Sequence, residues 1–240
     1  MNVIVTTDYN ELSEKATQLV VELMQRNPNL VLGLATGSSP IGLYNGLIEQ
    51  YKQGLISFKN IQTVNLDEYV GLDKSHPQSY NFFMHKQLFG SVDICEENVH
   101  ILNGQAASLQ EECNAYNKLL QTLVPDLQIL GIGSNGHIGF NEPGTSFDSL
   151  THVVDLTKST IRDNSRLFED ISQVPTQALT MGIAQIMQAK QIIVLASGVN
   201  KALAVYNMVK GAVTTNCPAS VLQHHLNCIV IVDKEAAKLL

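Results

Sequence analysis

Along the chain, short apolar runs bounded by turn signals alternate with longer stretches whose apolar residues return every three or four positions. Val3, Ile4 and Val5 open the pattern as a strand over 3–6, and Asp8 followed by Glu11 has the spacing of a capping box at a helix start. In that helix Leu12, Ala16, Leu19, Val20, Leu23 and Met24 recur at helical steps, so one apolar face lies on a sheet, and Asn27 with Pro28 ends it. A strand over 30–34 leads through Ala35-Thr36-Gly37-Ser38-Ser39-Pro40 into a helix carrying Ile41, Tyr44, Leu47, Ile48 and Tyr51. Pro40 suits its first turn and Gly54 its stop. A third strand is predicted over 61–66, ending in Asp67-Glu68-Tyr69, then a helix over 79–89 and a short strand over 99–102. Ser108 and Glu111 open a further helix over 108–123.

The apolar run at Ile129 has the character of a strand buried on both faces of a parallel sheet. Beyond it the pattern predicts a strand over 152–156, a polar helix over 158–168, a helix over 175–189 and a strand over 192–196. A helix from the Ser197-Gly198-Val199-Asn200-Lys201 turn to Gly211, a strand over 228–232 and a terminal helix from about Lys234 complete the chain. Such alternation predicts an α/β fold: a doubly wound, mostly parallel, Rossmann-like sheet with right-handed crossovers and helices on both faces. No repeat, low-complexity tract or linker interrupts it, so residues 1–240 are expected to form a single domain.

Composition narrows the partners. The formal charge is −7, from 15 Lys+Arg against 22 Asp+Glu, so no basic face is offered to nucleic acid, while a phosphorylated small molecule needs only a few local donors. Cys95, Cys113, Cys217 and Cys228 are scattered, without a Cys-x-x-Cys pair or a His at zinc-ligand spacing. That fits reduced thiols and implies no metal. The amino-terminal residues lack a basic region before an apolar run, and no stretch approaches a membrane span. A soluble cytoplasmic protein is expected, with neither membrane nor nucleic acid as partner.

Four groups of residues at predicted strand ends can carry chemistry, because sheets of this kind bind ligands beyond the carboxyl ends of their strands. After Ile129 come Gly131, Gly133, Gly136 and Gly139, with His137 and Glu142 as the titratable groups, an arrangement suited to acid–base work. A glycine-rich connection with a surface His is the competing reading. Thr36, Gly37, Ser38 and Ser39 combine hydroxyls with the free N–H groups of a helix start, a cradle for phosphate, although Ser39 could simply cap that helix. Ser197 to Lys201 repeats the device with a cation, and Lys201 alone could be a solvated surface residue. Asp67 and Glu68 are neighbours on an extended backbone, so at most one faces the pocket. There it could serve as a general base, or the carboxylate could cap the next helix.

Taken together, Ala35-Thr36-Gly37-Ser38-Ser39-Pro40, Asn65-Leu66-Asp67-Glu68-Tyr69-Val70-Gly71-Leu72, the stretch 131–143, Asn164-Ser165-Arg166, Val174-Pro175 with Ala178-Leu179-Thr180, and Lys201-Ala202-Leu203-Ala204 resemble the glucosamine-6-phosphate deaminase family. They occur in family order across nearly the whole chain. The resemblance implies an isomerising deaminase of amino-sugar catabolism, turning glucosamine 6-phosphate and water into fructose 6-phosphate and ammonia without cofactor or metal. It implies that His137 opens the sugar ring, that Glu142 orients and charge-stabilises its imidazole, and that Asp67 removes the C2 proton. It also implies that Arg166 and Lys201, with the N–H groups around Gly37 and Ser38, hold the phosphate. Asn135 stands where many members carry Asp; an amide positions but cannot ionise.

The chain stops soon after its last predicted strand, without the longer C-terminal segment of hexameric members, so a monomer or small homo-oligomer is expected. No Lys or Arg occurs over 141–157, where those members place the basic groups that bind their effector, so the resemblance is to a short, non-allosteric type. A 6-phosphogluconolactonase-like hydrolase and a non-catalytic sugar-phosphate-binding effector domain are the alternatives. The first needs no carbon base, and the second would need a DNA-binding segment.

Overall fold

Central strands of a parallel sheet are buried on both faces, and the longest apolar runs of the chain take those places. In the computed structural model, which describes residues 1–157, 160, 161, 165, 168, 170 and 173–240, seven strands form the main sheet. They are β1 (Asn2–Thr6), β2 (Val31–Leu34), β3 (Gln62–Asn65), β5 (Val99–His100), β6 (Leu127–Leu130), β9 (Ile192–Ala196) and β10 (Cys228–Asp233). Their order is β1-β10-β9-β6-β2-β3-β5, and every neighbouring pair is parallel. All residues of β6 and β9 are buried, so these two central strands carry no solvent face.

Helices cover both faces of this sheet. On one side α1 (Tyr9–Arg26) and α2 (Ile41–Lys52) pack Leu12, Ala16, Val20, Leu43 and Leu47 against Leu32, Leu34, Ile129 and Ile193. On the other, α4 (Leu109–Thr122) packs Tyr116 and Leu120 against Val64, Leu130, Ile192 and Val194. Adjacent residues such as Ile192 and Ile193 thus belong to different cores, as the period of two of a strand requires. Asp8 caps α1, accepting from the amides of Asn10 and Glu11, while the Glu11 carboxylate reaches back to Thr7 rather than to Asp8.

Three expectations need correction. Residues 175–189 are not one helix: β8 (Gln177–Thr180) is a strand, followed by the short helix α5 (Ile183–Ile186). Asp67-Glu68-Tyr69 does not end β3 but forms its own strand, β4 (Asp67–Tyr69), in a second sheet with β8 and β7 (His152–Asp155). That sheet is antiparallel, with Asp67 opposite Thr180 and His152 also opposite Thr180. The terminal segment from Lys234 is a series of turns rather than a helix, begun where the Asp233 carboxylate accepts from the Ala236 amide at 2.8 Å. The polar helix expected over 158–168 falls largely outside the described residues.

Parallel alignment brings the carboxyl ends of β9, β6, β2 and β3 to one edge in that order. From β2 the chain proceeds to β3 and β5 on one side, and from β6 to β9 and β10 on the other. The switch between the two directions lies at β2 and β6, where such sheets open a crevice.

Candidate active site

A cleft of about 1040 Å³ lies over this edge, lined by the segments that leave β2, β3, β6 and β9. Thr36, Gly37, Ser38, Ser39, Asp67, Asn135, His137 and Lys201, all singled out in the sequence, line it together. Glu142 stands one layer behind, and Arg166 lies outside the described residues.

The segment after β6 folds back on itself: the Gly133 amide donates to the His137 carbonyl and the Gly136 amide to the Gly133 carbonyl, both at 2.9 Å. This turn lays the His137 imidazole against Gly133, where a Cβ would stand 2.3 Å from His137 Cε1. Glycine at 133 is therefore required by the position of the catalytic candidate. His137 Nδ1 faces Glu142 Oε2 at 3.5 Å, close enough for the carboxylate to stabilise a protonated ring but outside hydrogen-bond geometry. Asn135 Nδ2 donates to the same oxygen at 2.7 Å, its Oδ1 accepts from the His137 amide at 3.2 Å, and Thr160 Oγ1 donates to Glu142 Oε1 at 2.5 Å. Burial pushes the Glu142 carboxyl up, but the pull of His137, Thr160 and Asn135 outweighs it and holds the group at about 2. An ionised Glu142 makes an N–H at Nδ1 the favoured tautomer, which leaves Nε2 as the free nitrogen.

Asp67 occupies the other wall. It is buried, its Oδ2 lies 3.5 Å from where a Cβ of Gly139 would stand, and burial, then the neighbouring Glu68 charge, pushes its carboxyl up to about 8. Glu68 turns the opposite way. Its carboxylate accepts from the amides of Tyr69, Tyr80 and Asn81 at 2.8 to 2.9 Å, joining Ser79 in capping α3 (Tyr80–Gln87). So only Asp67 of the adjacent pair faces the cleft, and the capping role falls to Glu68. The cap also sets Tyr80, which lines the cleft and stacks on Phe140 with ring centroids 6.0 Å apart. Phe140 is tied to β8 through its amide, which donates to Thr180 Oγ1 at 3.0 Å, and the Asn141 amide group bonds the carbonyls of Ile138 and Met181.

At the far end, Gly37 has φ +89°, a left-handed conformation that exposes the backbone of the Thr36–Ser39 loop. The Tyr9 hydroxyl pins this loop, donating to the Ser38 carbonyl at 2.9 Å and accepting from the Gly42 amide at 2.8 Å. Ser39 does not cap α2: Pro40 holds the cap position and no side chain bonds there. After β9, the Asp233 carboxylate accepts from Ser197 Oγ at 2.5 Å and from the Gly198 amide at 3.0 Å, shaping the turn Val199–Lys201 that leads into α6 (Ala202–Val209). Lys201 and Asn200 of this turn reach the cleft.

Several of these residues carry no sequence signal. Thr160 is 18 positions from Glu142 in a polar stretch without periodicity, and Tyr9 sits on a helix whose other apolar residues are core. Among the described residues no group of three or more His, Cys, Asp or Glu could hold a metal ion, and no helix is long and apolar enough to cross a membrane.

Known proteins resemble the chain over its whole length. A glucosamine-6-phosphate deaminase of Thermoanaerobacter sp. (strain X514) is 52% identical, covering 100% of this chain and 95% of its own. The corresponding protein of Clostridium perfringens (strain 13 / Type A) is 48% identical over 100% of both chains. A solved monomeric glucosamine-6-phosphate deaminase superposes with TM-score 0.98 at 46% identity, covering 100% of both. The 6-phosphogluconolactonase of Trypanosoma brucei, at TM-score 0.81 and 21% identity over 100% of this chain and 98% of its own, shares the fold. Residues 8–230 match the family of glucosamine-6-phosphate isomerases and 6-phosphogluconolactonases. The chain belongs to that family.

Proposed function

We propose that the chain is an isomerising deaminase that converts glucosamine 6-phosphate and water to fructose 6-phosphate and ammonia. The observation that carries this reading is a buried carboxyl, Asp67, in the same cleft as His137, whose imidazole has the Glu142 carboxylate behind it. Ring opening needs a proton moved from the anomeric hydroxyl to the ring oxygen, a task for the free Nε2 of His137 with Glu142 balancing the imidazolium and Asn135 holding the loop. In the open chain Asp67 takes the C2 proton, the resulting enolamine is protonated at C1, and water hydrolyses the ketimine to release ammonia. The C2 ammonium of the bound sugar is a fitting partner for Asp67: a cation beside a buried carboxyl favours its ionised form, so the amino group of the substrate itself readies the base.

The phosphate is assigned to the N–H groups of Thr36, Gly37, Ser38 and Ser39, with Lys201 and Arg166 as its cationic partners. A single domain, supported by a family match over 8–230, a cytoplasmic location and a monomer or small homo-oligomer complete the proposal. The lactonase alternative leaves Asp67 without a task, because hydrolysing a lactone removes no carbon-bound proton. Ammonia release from glucosamine 6-phosphate in the presence of a chelator tests the reading. No release, together with hydrolysis of 6-phosphogluconolactone, overturns it.

A further inference from the structure

The hydroxyl of Thr160 is buried against Glu142 Oε1 at 2.5 Å. It also lies 3.0 Å from the hydroxyl of Thr157, which in turn accepts from the Thr160 amide at 3.2 Å. Each hydroxyl has one hydrogen. If Thr160 gives its own to the carboxylate, the bond between the two hydroxyls is donated by Thr157, and the donors run in one direction, Thr157 to Thr160 to Glu142. On the other oxygen Glu142 meets Asn135 Nδ2, a donor only, and His137 Nδ1. Among the described residues, then, Asn135 and Thr160 each give a hydrogen to the ionised carboxylate, one on each oxygen, and His137 Nδ1 stands 3.5 Å away.

We infer that Thr160 is a positioning residue for the reaction: its hydroxyl holds Glu142 in one rotamer and keeps it ionised, so that Oε2 stays on His137. The inference rests on the deaminase reading above and deepens its ring-opening step. The only titratable side chain within ion-pair distance of Glu142, among the described residues, is His137. Asp67 lies beyond Gly139 on the other wall, and the Cys217 thiol beneath Gly136 is kept neutral by its burial. Asp67, the base of the later step, is common to the wild type and a Thr160 variant, so a difference between their acid limbs reports the His137–Glu142 pair.

The test is Thr160→Val, which keeps the shape and removes the hydroxyl, with Thr160→Ser as the restoring variant. In Thr160→Val the ionised carboxylate loses a donor and the imidazolium sits against a charge no longer shared. Both effects move the acid limb of the kcat profile to higher pH, by about half a unit or more. With them kcat at neutral pH falls about tenfold, as for a lost partner behind a catalytic group, while KM changes less than about twofold. Thr160→Ser returns both values toward wild type. A Thr160→Val profile that superimposes on the wild type, or a shift that serine does not reverse, overturns the inference. Should valine unfold the chain, the ¹⁵N resonances of His137 followed against pH in Thr160→Ala decide the matter without turnover: titration unchanged from wild type has the same overturning force. Failure of the wild type to release ammonia would instead strike the deaminase reading and leave these resonances to judge Thr160.

Discussion

At the scale of single residues, the cleft sets two carboxyls in opposite states. Glu142 is drawn below its ordinary range by surrounding donors, and Asp67 is raised from 3.8 to about 8 by burial and the Glu68 charge. Folding therefore takes up a proton on Asp67 across that interval, so stability contributed by its neutral form is present below it and is lost as pH rises through 8. Asp67→Asn removes the titration. Its melting temperature should match the wild type near pH 4 and exceed it by roughly 5 °C at pH 8, the gap opening as pH rises between the two. Scans across that range check the sign: a gap that closes with rising pH would contradict it. The same substitution should lower turnover by about 10²-fold or more and abolish solvent hydrogen exchange at C2, while substrate still binds. Persisting exchange would move the base elsewhere.

At the scale of elements, the site depends on how segments are tied to one another. Glu68 joins β4 to the start of α3 through three amides, and α3 supplies Tyr80 to the cleft. Glu68→Ala leaves those donors without their acceptor and should cost about 2 kcal/mol or more, read as a lower urea midpoint at unchanged slope. The turn after β6 is equally constrained, because a methyl group at 133 would collide with the imidazole. Gly133→Ala should lower kcat by about 10²-fold through displacement of His137, with a smaller effect on urea stability. Wild-type turnover in that variant would mean that the ring does not need its present place. These ties also explain what the sequence concealed. Ala178, Leu179, Thr180 and Met181 are buried in succession, and a short buried run followed by Ile183 and Ile186 satisfies helix and strand spacing alike. The choice falls to β4, whose residues pair with β8 from more than 100 positions earlier in the chain.

At the scale of the whole molecule, the stretch over 141–157 bears on regulation. It contains no Lys or Arg, and a sugar-phosphate dianion has little reason to leave water without a cationic partner. The rate should depend hyperbolically on glucosamine 6-phosphate and should not respond to N-acetylglucosamine 6-phosphate, since a ligand without differential binding shifts no equilibrium. Saturation curves with and without that compound check this; a sigmoidal curve made hyperbolic by it would count against it. The sequence by itself determined the parallel sheet, the apolar face of its first helix and the strand-exit positions of His137 and Lys201. Those features follow from periods of 2 and 3.6 and from Gly-rich strand exits, which are local. Only the tertiary structure decided that Glu68 rather than Asp67 caps a helix, that Asp67-Glu68-Tyr69 belongs to a second sheet, and that Thr160 and Tyr9 reach the site. These depend on pairings and bonds between segments far apart in the chain, and nothing in the periodicity of either segment encodes its partner.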